Sequence, residues 1–419
     1  MSSTVRKQVL VRRASLALAL GAAAGAAALA WPAGLSAQQT GPAVQTTDPM
    51  QIRPEGPAPQ WAPNIHPQMQ AVIEQLTAFG APPLPELRPD QARKTKTPTD
   101  AVQALLRKTG MPPMQPAVDI DHRVIPGPAP QGVLLRTYTP RQGSGPFPVI
   151  VYYHGGGWVI AGPDTYEPSA RALAEKAGAV VVSVAYRQAP ENKFPAAHED
   201  AFAAYRWVTE NATQINGDPN RIALVGESAG GNLAVATAMQ AREQGVRLPV
   251  HIVSVYPIAD GDTESPSYQQ YADAAPLSRP AMQWFFEQYL RGPQDARDPR
   301  ISLVNANLSG LPPTTIINAQ IDPLQSEGEQ LAERMRQAGV QVEQRTWQGV
   351  THEFFGMAAV LEQAEEAQQM AVSRLRQAFA GGARAQAQPM QRPAQQQMQP
   401  QTQAQAQPQA RRMRVRKDP

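Results

Sequence analysis

Gly226-Glu227-Ser228-Ala229-Gly230 follows the apolar run Ile222–Val225 and precedes a stretch of small and apolar residues from Asn232 to Ala241. A serine between glycines at a strand-to-helix junction suits a sharp turn. The glycines remove bulk on both sides, the hydroxyl rises above the sheet, and the helix's free N–H groups point at the reacting centre. The chemistry this predicts is nucleophilic attack by Ser228. A second glycine-rich stretch, His154-Gly155-Gly156-Gly157-Trp158, directly follows the apolar run Val149–Tyr153. Bare backbone N–H groups approach a developing oxyanion without side-chain obstruction. Gly156 and Gly157, with the N–H of Ala229, are therefore the expected oxyanion donors, Gly155 lying close enough to be confused with them. No lysine, serine or threonine follows at phosphate-loop spacing and the run is not G-x-G-x-x-G, which argues against a nucleotide loop. His154 is expected to anchor the loop by a hydrogen bond rather than to move protons.

A serine nucleophile needs a base, and six histidines are available: 66, 122, 154, 198, 251 and 352. Where the nucleophile sits on such a strand-turn-helix elbow, the triad runs serine, acid, histidine along the chain. Only His251 and His352 then qualify. The single acid between Ser228 and His251 is Glu243, at the end of the elbow helix, and His251 opens an apolar strand after Pro249. His352 lies in a loop past the run Gln341–Thr346, after Gly349, and is the expected base. Among the acids before it, Asp322 comes just after the run Thr314–Asn318, is held by Pro323, and precedes a helix that reads as opening on a capping box (Ser326, Glu329) and closing at Gly339. Glu327 and Glu329 belong to that helix's first turn, where they favour its dipole. Asp260 and Asp262 follow the preceding strand, so position favours Asp322 over Asp260.

These residues must be held by a scaffold, and the hydropathy pattern supplies one. Leu134–Tyr138, Val149–Tyr153, Ala179–Ala185, Ile222–Val225, Val250–Val255, Thr314–Asn318 and Gln341–Thr346 are short β-branched runs, most of them separated by helical stretches. Near-continuous apolar strands alternating with helices predict an α/β fold with a mostly parallel sheet covered on both faces. Ahead of them, Met69, Val72, Ile73 and Leu76 recur at helical spacing, as do Val102, Leu105 and Leu106. Almost sixty residues separate the strand ending near Tyr256 from that at Thr314, including an aromatic-rich helix around Trp284, Phe285, Phe286 and Tyr289. That is long for a crossover and predicts an insertion over the sheet's C-terminal edge, where α/β folds bind ligands.

The two ends read differently from the body. Arg6, Lys7, Arg12 and Arg13 precede a charge-free run from Ala14 to Ala30, with small residues at Ser36 and Ala37. This predicts a cleaved signal peptide over 1–37 and a periplasmic or secreted protein. Residues 38–65, proline-rich and polar, are expected to be an unpacked linker. From Gly381 onward the Gln/Pro/Ala-rich chain is expected to be disordered, the glycine pair closing the last helix at about 380. It ends in the basic cluster Arg411, Arg412, Arg414, Arg416 and Lys417, which suits a weak contact with an anionic surface. The formal charge is +3, but the ends carry the excess of cations and residues 38–380 are net −7, which speaks against a nucleic-acid partner. There is no cysteine, which removes disulfides, thiol catalysis and thiolate metal sites.

With these residues in place the chain resembles the hormone-sensitive-lipase family of α/β-hydrolases, in its bacterial esterase branch. The likeness runs from about His66 to Ala380. It rests on His154–Trp158, Tyr186-Arg187-Gln188-Ala189-Pro190-Glu191, Phe194-Pro195-Ala196-Ala197, Gly226–Gly231, Asp322-Pro323-Leu324 with Glu327-Gly328, and His352 with Phe354. The resemblance implies an α/β-hydrolase domain over 66–380 with helical cap elements at about 66–110 and 258–300. It implies a Ser228–Asp322–His352 triad without metal or organic cofactor, and small-molecule esters of short to medium acyl chain as substrates. The nearest alternatives are a long-chain lipase and a catalytically silent binding module. Two positions depart from the family's pattern. Glu227 replaces the more frequent aspartate of the elbow, and Glu353 replaces the usual glycine after the base histidine. A carboxylate there raises the pKa of His352 or points to solvent.

Overall fold

Each of the seven β-branched runs forms a strand, and an eighth strand precedes them. The computed structural model describes residues 52–110 and 117–387, the side chains of 382–387 excepted. The strands are β1 (Val118–Ile125), β2 (Val133–Pro140), β3 (Phe147–Tyr153), β4 (Val180–Ala185), β5 (Gly217–Glu227), β6 (Ile252–Val255), β7 (Thr314–Ile321) and β8 (Val342–Thr351). They form one sheet in the order β1-β2-β4-β3-β5-β6-β7-β8. β2 is antiparallel to both β1 and β4, and every other pairing is parallel. The sequence reading missed β1. It is an edge strand whose Ile120 and Val124 are exposed and alternate with charged residues, so no buried face marks it.

Alternation along the strands splits the core into two layers. Val149, Val151 and Tyr153 of β3 pack on one face of the sheet with α5 (Ala196–Asn211), α6 (Ala229–Glu243) and α9 (Gln325–Gln337). Ile150 and Tyr152 pack on the other, with α1 (Pro67–Thr77), α3 (Pro98–Lys108), α4 (Glu167–Ala177) and α10 (Glu362–Ala387), the short α2 (Pro89–Ala92) standing between α1 and α3 in the chain. Strands buried on both faces need apolar residues at every position, which is why they were legible as continuous runs. The direction of strand addition reverses between β3 and β5. At such a switch point the loops leaving neighbouring strands diverge and open a crevice. The His154 loop leaves β3 there, and Ser228 follows β5.

Three expectations are corrected. The segment taken as a linker to residue 65 packs from Ile52 on: Ile52, Ala62 and Ile65 are buried beneath the sheet's second face. A proline-rich chain has few N–H groups to satisfy, and those of Glu55 and Gly56 bond to the Glu74 carboxylate at 2.6 and 3.1 Å. The glycine pair does not end the last helix. α10 runs on to Ala387, and Gly381 does not take the left-handed conformation that closes helices. The capping box of α9 does not form either. Its N-cap position is Leu324, and Ser326 instead exchanges hydrogen bonds with Ser267 of α7 (Pro266–Gln270). The proposed signal peptide, residues 38–51 and the tail beyond Ala387 lie outside the described residues.

Candidate active site

The elbow is built by close approach. A Cβ on Gly226 would lie 2.0 Å from the Gly230 carbonyl oxygen, and one on Gly230 would lie 2.0 Å from that of Tyr153, so only glycine lets the chain fold back so tightly. Ser228 itself has φ 58° and ψ −120°, a conformation costly for a residue with a Cβ. The strain is held by the N–H of Ser228 donating to Val255 at 2.8 Å and by α6, whose first bond returns from Asn232 to the Ser228 carbonyl at 3.1 Å.

Residue 352 follows the last residue of β8, and the loop after β7 brings Asp322 alongside it. His352 Nδ1 lies 2.7 Å from Asp322 Oδ2 and Nε2 lies 2.9 Å from Ser228 Oγ. A carboxylate only accepts, so Nδ1 carries the proton and Nε2 accepts from the serine hydroxyl. The second carboxylate oxygen, Asp322 Oδ1, accepts the N–H of Leu324 at 2.9 Å, which fixes the group's orientation. Asp260 is committed elsewhere, its Oδ1 accepting from Ser302 Oγ and the Gly261 N–H, both at 2.7 Å. His251 stands at the far end of the sheet, bonded to Thr315 Oγ1 at 2.9 Å. Glu327 stands in the first turn of α9 as expected and is buried there, accepting the Ala259 N–H at 2.8 Å, whereas Glu329 lies beyond that turn.

The electrostatics distinguish His352. Burial pulls its pKa down, but the charge and hydrogen bond of Asp322, helped by Glu353 and Glu227, outweigh burial and hold it above the ordinary value. Glu227 is buried under the elbow, accepting from Tyr152 and Tyr256 hydroxyls at 2.5 Å each. Burial first, and then the Glu353 charge, push its carboxyl up to about 7.

The glycine loop sits beside the serine. Gly156 and Gly157 have φ of +95° and +57°. Among the described residues, the N–H groups of Gly156, Gly157 and Ala229 donate to no backbone or side-chain acceptor. His154 is buried, with Nδ1 2.8 Å from the Gly155 carbonyl and its ring stacked on Tyr186 at 4.2 Å. Tyr186 donates to the His154 carbonyl at 2.9 Å, and Gln188 donates to the carbonyls of Ile160 and Ala161 at 2.8 and 3.0 Å. The Tyr186–Glu191 stretch thus clamps the loop. Over it lies α8 (Arg279–Tyr289). The ring of Phe285 occupies the space a Cβ on Gly157 would fill, Tyr289 stacks on Trp158 at 4.5 Å, and the Trp284 indole donates to Leu87 at 3.1 Å. The last contact ties the insertion to the N-terminal segment.

The sequence reading missed the tyrosines. Tyr152 and Tyr256 hold Glu227, and Tyr166 donates to Glu353 Oε1 at 2.5 Å. Tyr166 and Glu353 are 187 residues apart, and no spacing rule links them.

A family model described as alpha/beta hydrolase fold matches residues 150–356. Carboxylesterase NlhH of Mycobacterium tuberculosis is 39% identical over 286 residues, covering 67% of this chain and 89% of that protein. The chain belongs to the hormone-sensitive-lipase-like esterases of the α/β-hydrolase fold. The ethyl acetate hydrolase of Pseudomonas putida is 38% identical over 230 residues, 54% of this chain and 72% of that protein. Among solved structures, a hyperthermophilic esterase from the archaeon Pyrobaculum calidifontis superposes with a TM-score of 0.68 at 36% identity, covering 75% of this chain and 98% of the other. This esterase is therefore a serine ester hydrolase that cleaves carboxylic esters.

Proposed function

We propose that hydrolysis runs through Ser228 as nucleophile, His352 as general base and then acid, and Asp322 as the group that orients and charges the base. The observation that carries this reading is the unbroken hydrogen-bond chain from Asp322 Oδ2 through His352 to Ser228 Oγ, with links of 2.7 and 2.9 Å. Ser228 attacks the ester carbonyl as its proton passes to Nε2, and Asp322 stabilises the imidazolium. The oxyanion is taken by the N–H groups of Gly156, Gly157 and Ala229, whose lack of internal acceptors suits them to developing charge. The imidazolium then protonates the leaving alcohol, and water repeats the cycle on the acyl-enzyme. His154, held as a neutral ring by burial, which pulls its pKa to about 4, keeps the glycine loop in place.

The substrates we propose are small esters of short to medium acyl chain. The Phe285 ring lies against Gly157 of the oxyanion loop, where a cap residue can gauge the acyl chain, and one relative is named for ethyl acetate. A screen of esters from acetyl to palmitoyl tests this, and a rate maximum at palmitoyl would make the enzyme a long-chain lipase instead. An organophosphonate should leave a single adduct on Ser228, and no adduct would leave the silent-module reading standing. For the chain's ends, we propose export to the periplasm or medium with cleavage near Ala37, and a weak, salt-screened contact of the Arg411–Lys417 cluster with anionic surfaces. Mass analysis of the mature N-terminus, and co-sedimentation of full-length and tail-deleted enzyme with anionic vesicles, test these two points.

A further inference from the structure

His352 has a second carboxylate at its other edge. Glu353 Oε1 lies 3.9 Å from Nε2, the nitrogen that faces Ser228. That is too long for a hydrogen bond, so Glu353 does not compete with the serine for the ring, yet it is close enough for a charge to be felt. The side chain is mostly buried, and Tyr166, itself buried, holds the near oxygen at 2.5 Å. Among the described residues, its one basic neighbour within 4.0 Å is His352.

The backbone shows what this placement costs. Glu353 has φ of 71° and ψ of 3°, the left-handed region that glycine occupies freely. A long side chain there is disfavoured by roughly 1–2 kcal/mol. The strain is retained where it puts a carboxylate in the one place where a proton arrives during the reaction.

We propose that Glu353 is a positioning residue for the base, anchored by Tyr166 so that its carboxylate stabilises the imidazolium from the Nε2 side as Asp322 does from the Nδ1 side. The proposal rests on the triad reading above. The ionised ring then lies between two carboxylates in a site that excludes much of the water, where charge interactions are weakly screened.

The other charged and titratable groups around Glu353 are accounted for. Glu227 at the end of β5 repels it, but Tyr152 and Tyr256 take up both Glu227 oxygens. Asp322 after β7 also repels it and is itself occupied by His352 and the Leu324 N–H. Burial pushes the Glu353 pKa up, and the His352 charge and the Tyr166 hydrogen bond pull it only part of the way back, so that it stays above the ordinary carboxyl value. Tyr186 also senses the Glu353 charge, and its own pKa is raised well above the ordinary value, by burial first. On the outer side, a cavity of about 370 Å³ is lined by Glu353 and Glu227 together with Asp164, Glu167 and Arg171. There Arg136 pairs with Asp164 and Glu167, and Arg171 with Glu167.

The test is the pH dependence of kcat/KM on a soluble acetyl ester for the full-length wild type, Glu353→Gln and Glu353→Gly. Glutamine keeps an acceptor for Tyr166 and removes the charge. Glycine removes both and relieves the positive φ, so folding is not at risk. In both variants the plateau should fall several-fold while the acid limb moves to lower pH, because an imidazolium with one carboxylate fewer loses its proton more easily. Activity at acid pH, as a fraction of the plateau, should rise several-fold. A purely structural role lowers the plateau without that acid gain. An acid limb unmoved in both variants overturns the proposal. Failure of the triad reading would look different: turnover would survive Ser228→Ala, whatever residue 353 is.

Discussion

The loops after β3 and β8 each carry a buried histidine, and the two rings have opposite properties. His154 is 1% exposed and His352 is 3% exposed. Burial drives His154 to about 4, the hydrogen bond to the Gly155 carbonyl recovering only part of the loss. His352 is raised, because its Nδ1 meets a carboxylate instead of a carbonyl. Desolvation disfavours the charged ring in both places, and only a full negative charge at hydrogen-bond distance reverses it. In the mechanism we propose, one imidazole is a neutral strut and the other a proton acceptor that tolerates becoming charged.

Removing each ring should separate the two roles most sharply. His352→Ala, like Ser228→Ala, should lower kcat by on the order of 10⁶, since the members of a triad fail as a unit, with a thermal transition close to that of the wild type. His154→Gln should lower the transition and reduce the rate far less, by loosening the glycine loop. A Ser228 or His352 variant retaining more than about a hundredth of the wild-type rate would break the comparison.

The partner of the ring is the next point of attack. Asp322→Asn keeps the shape but lets the ring take the wrong tautomer, for a loss of up to about 10⁴ in rate. Asp260→Asn should cost little activity, because its carboxylate serves Ser302 and Gly261. If the second variant were the more damaging, the acid would have been misassigned. In the wild type the rate should rise with pH through a midpoint above 6.5, as the raised pKa of His352 requires a higher pH to free the neutral base.

A smaller effect belongs to the cap above the glycine loop. Phe285→Ala should open space against Gly157 and shift the preferred acyl length, at a cost of roughly 3–5 kcal/mol in stability. Phe286→Ala should act in the same direction more weakly. Identical length profiles in both variants and the wild type would mean that α8 packs there without gauging the substrate.

What the sequence disclosed follows from what each feature depends on. The central strands β3, β4, β6 and β7 and the second half of β5 depend on burial at nearly every position, and the elbow and glycine loop depend on residues without side chains, so both left local marks. The His352 and Asp322 assignments needed only chain order and their position after a strand. The remainder depends on distant partners. Tyr166 finds Glu353 only because α4 and the loop after β8 meet across the sheet's end. Ile52 and Ile65 look like stray apolar residues in a polar segment until α1 and β8 are beside them, where the His66 N–H donates to the Gly349 carbonyl at 2.7 Å. The Ser326 cap failed because Ser267, far away in sequence, offered that hydroxyl another partner. The acidity of buried groups was unreadable for the same reason.

That acidity yields the smallest predicted effect, a stability change rather than a rate. His154, His198 and His251 are all pulled by burial to about 4, whereas an unfolded histidine titrates near 6.5. Between those values the unfolded chain binds protons that the folded chain refuses, so stability is full above 6.5 and falls as the pH drops toward 4. At pH 5 each ring should cost on the order of 2 kcal/mol. Four groups act in the opposite sense. Glu227, raised to about 7, takes up its proton in the folded state first and offsets roughly 3 kcal/mol at pH 5, and the raised Glu327, Glu353 and His352 add to that offset. His251→Gln isolates one share. Glutamine can still bond to Thr315, the site is at the far end of the sheet from Ser228, and activity at pH 7 should not change. Going from pH 7 to pH 5, the melting temperature of the variant should change more favourably than that of the wild type, by that ring's share. Equal changes in wild type and variant would mean that His251 is protonated in the folded protein, and that burial without a carboxylate is not what makes these rings inert.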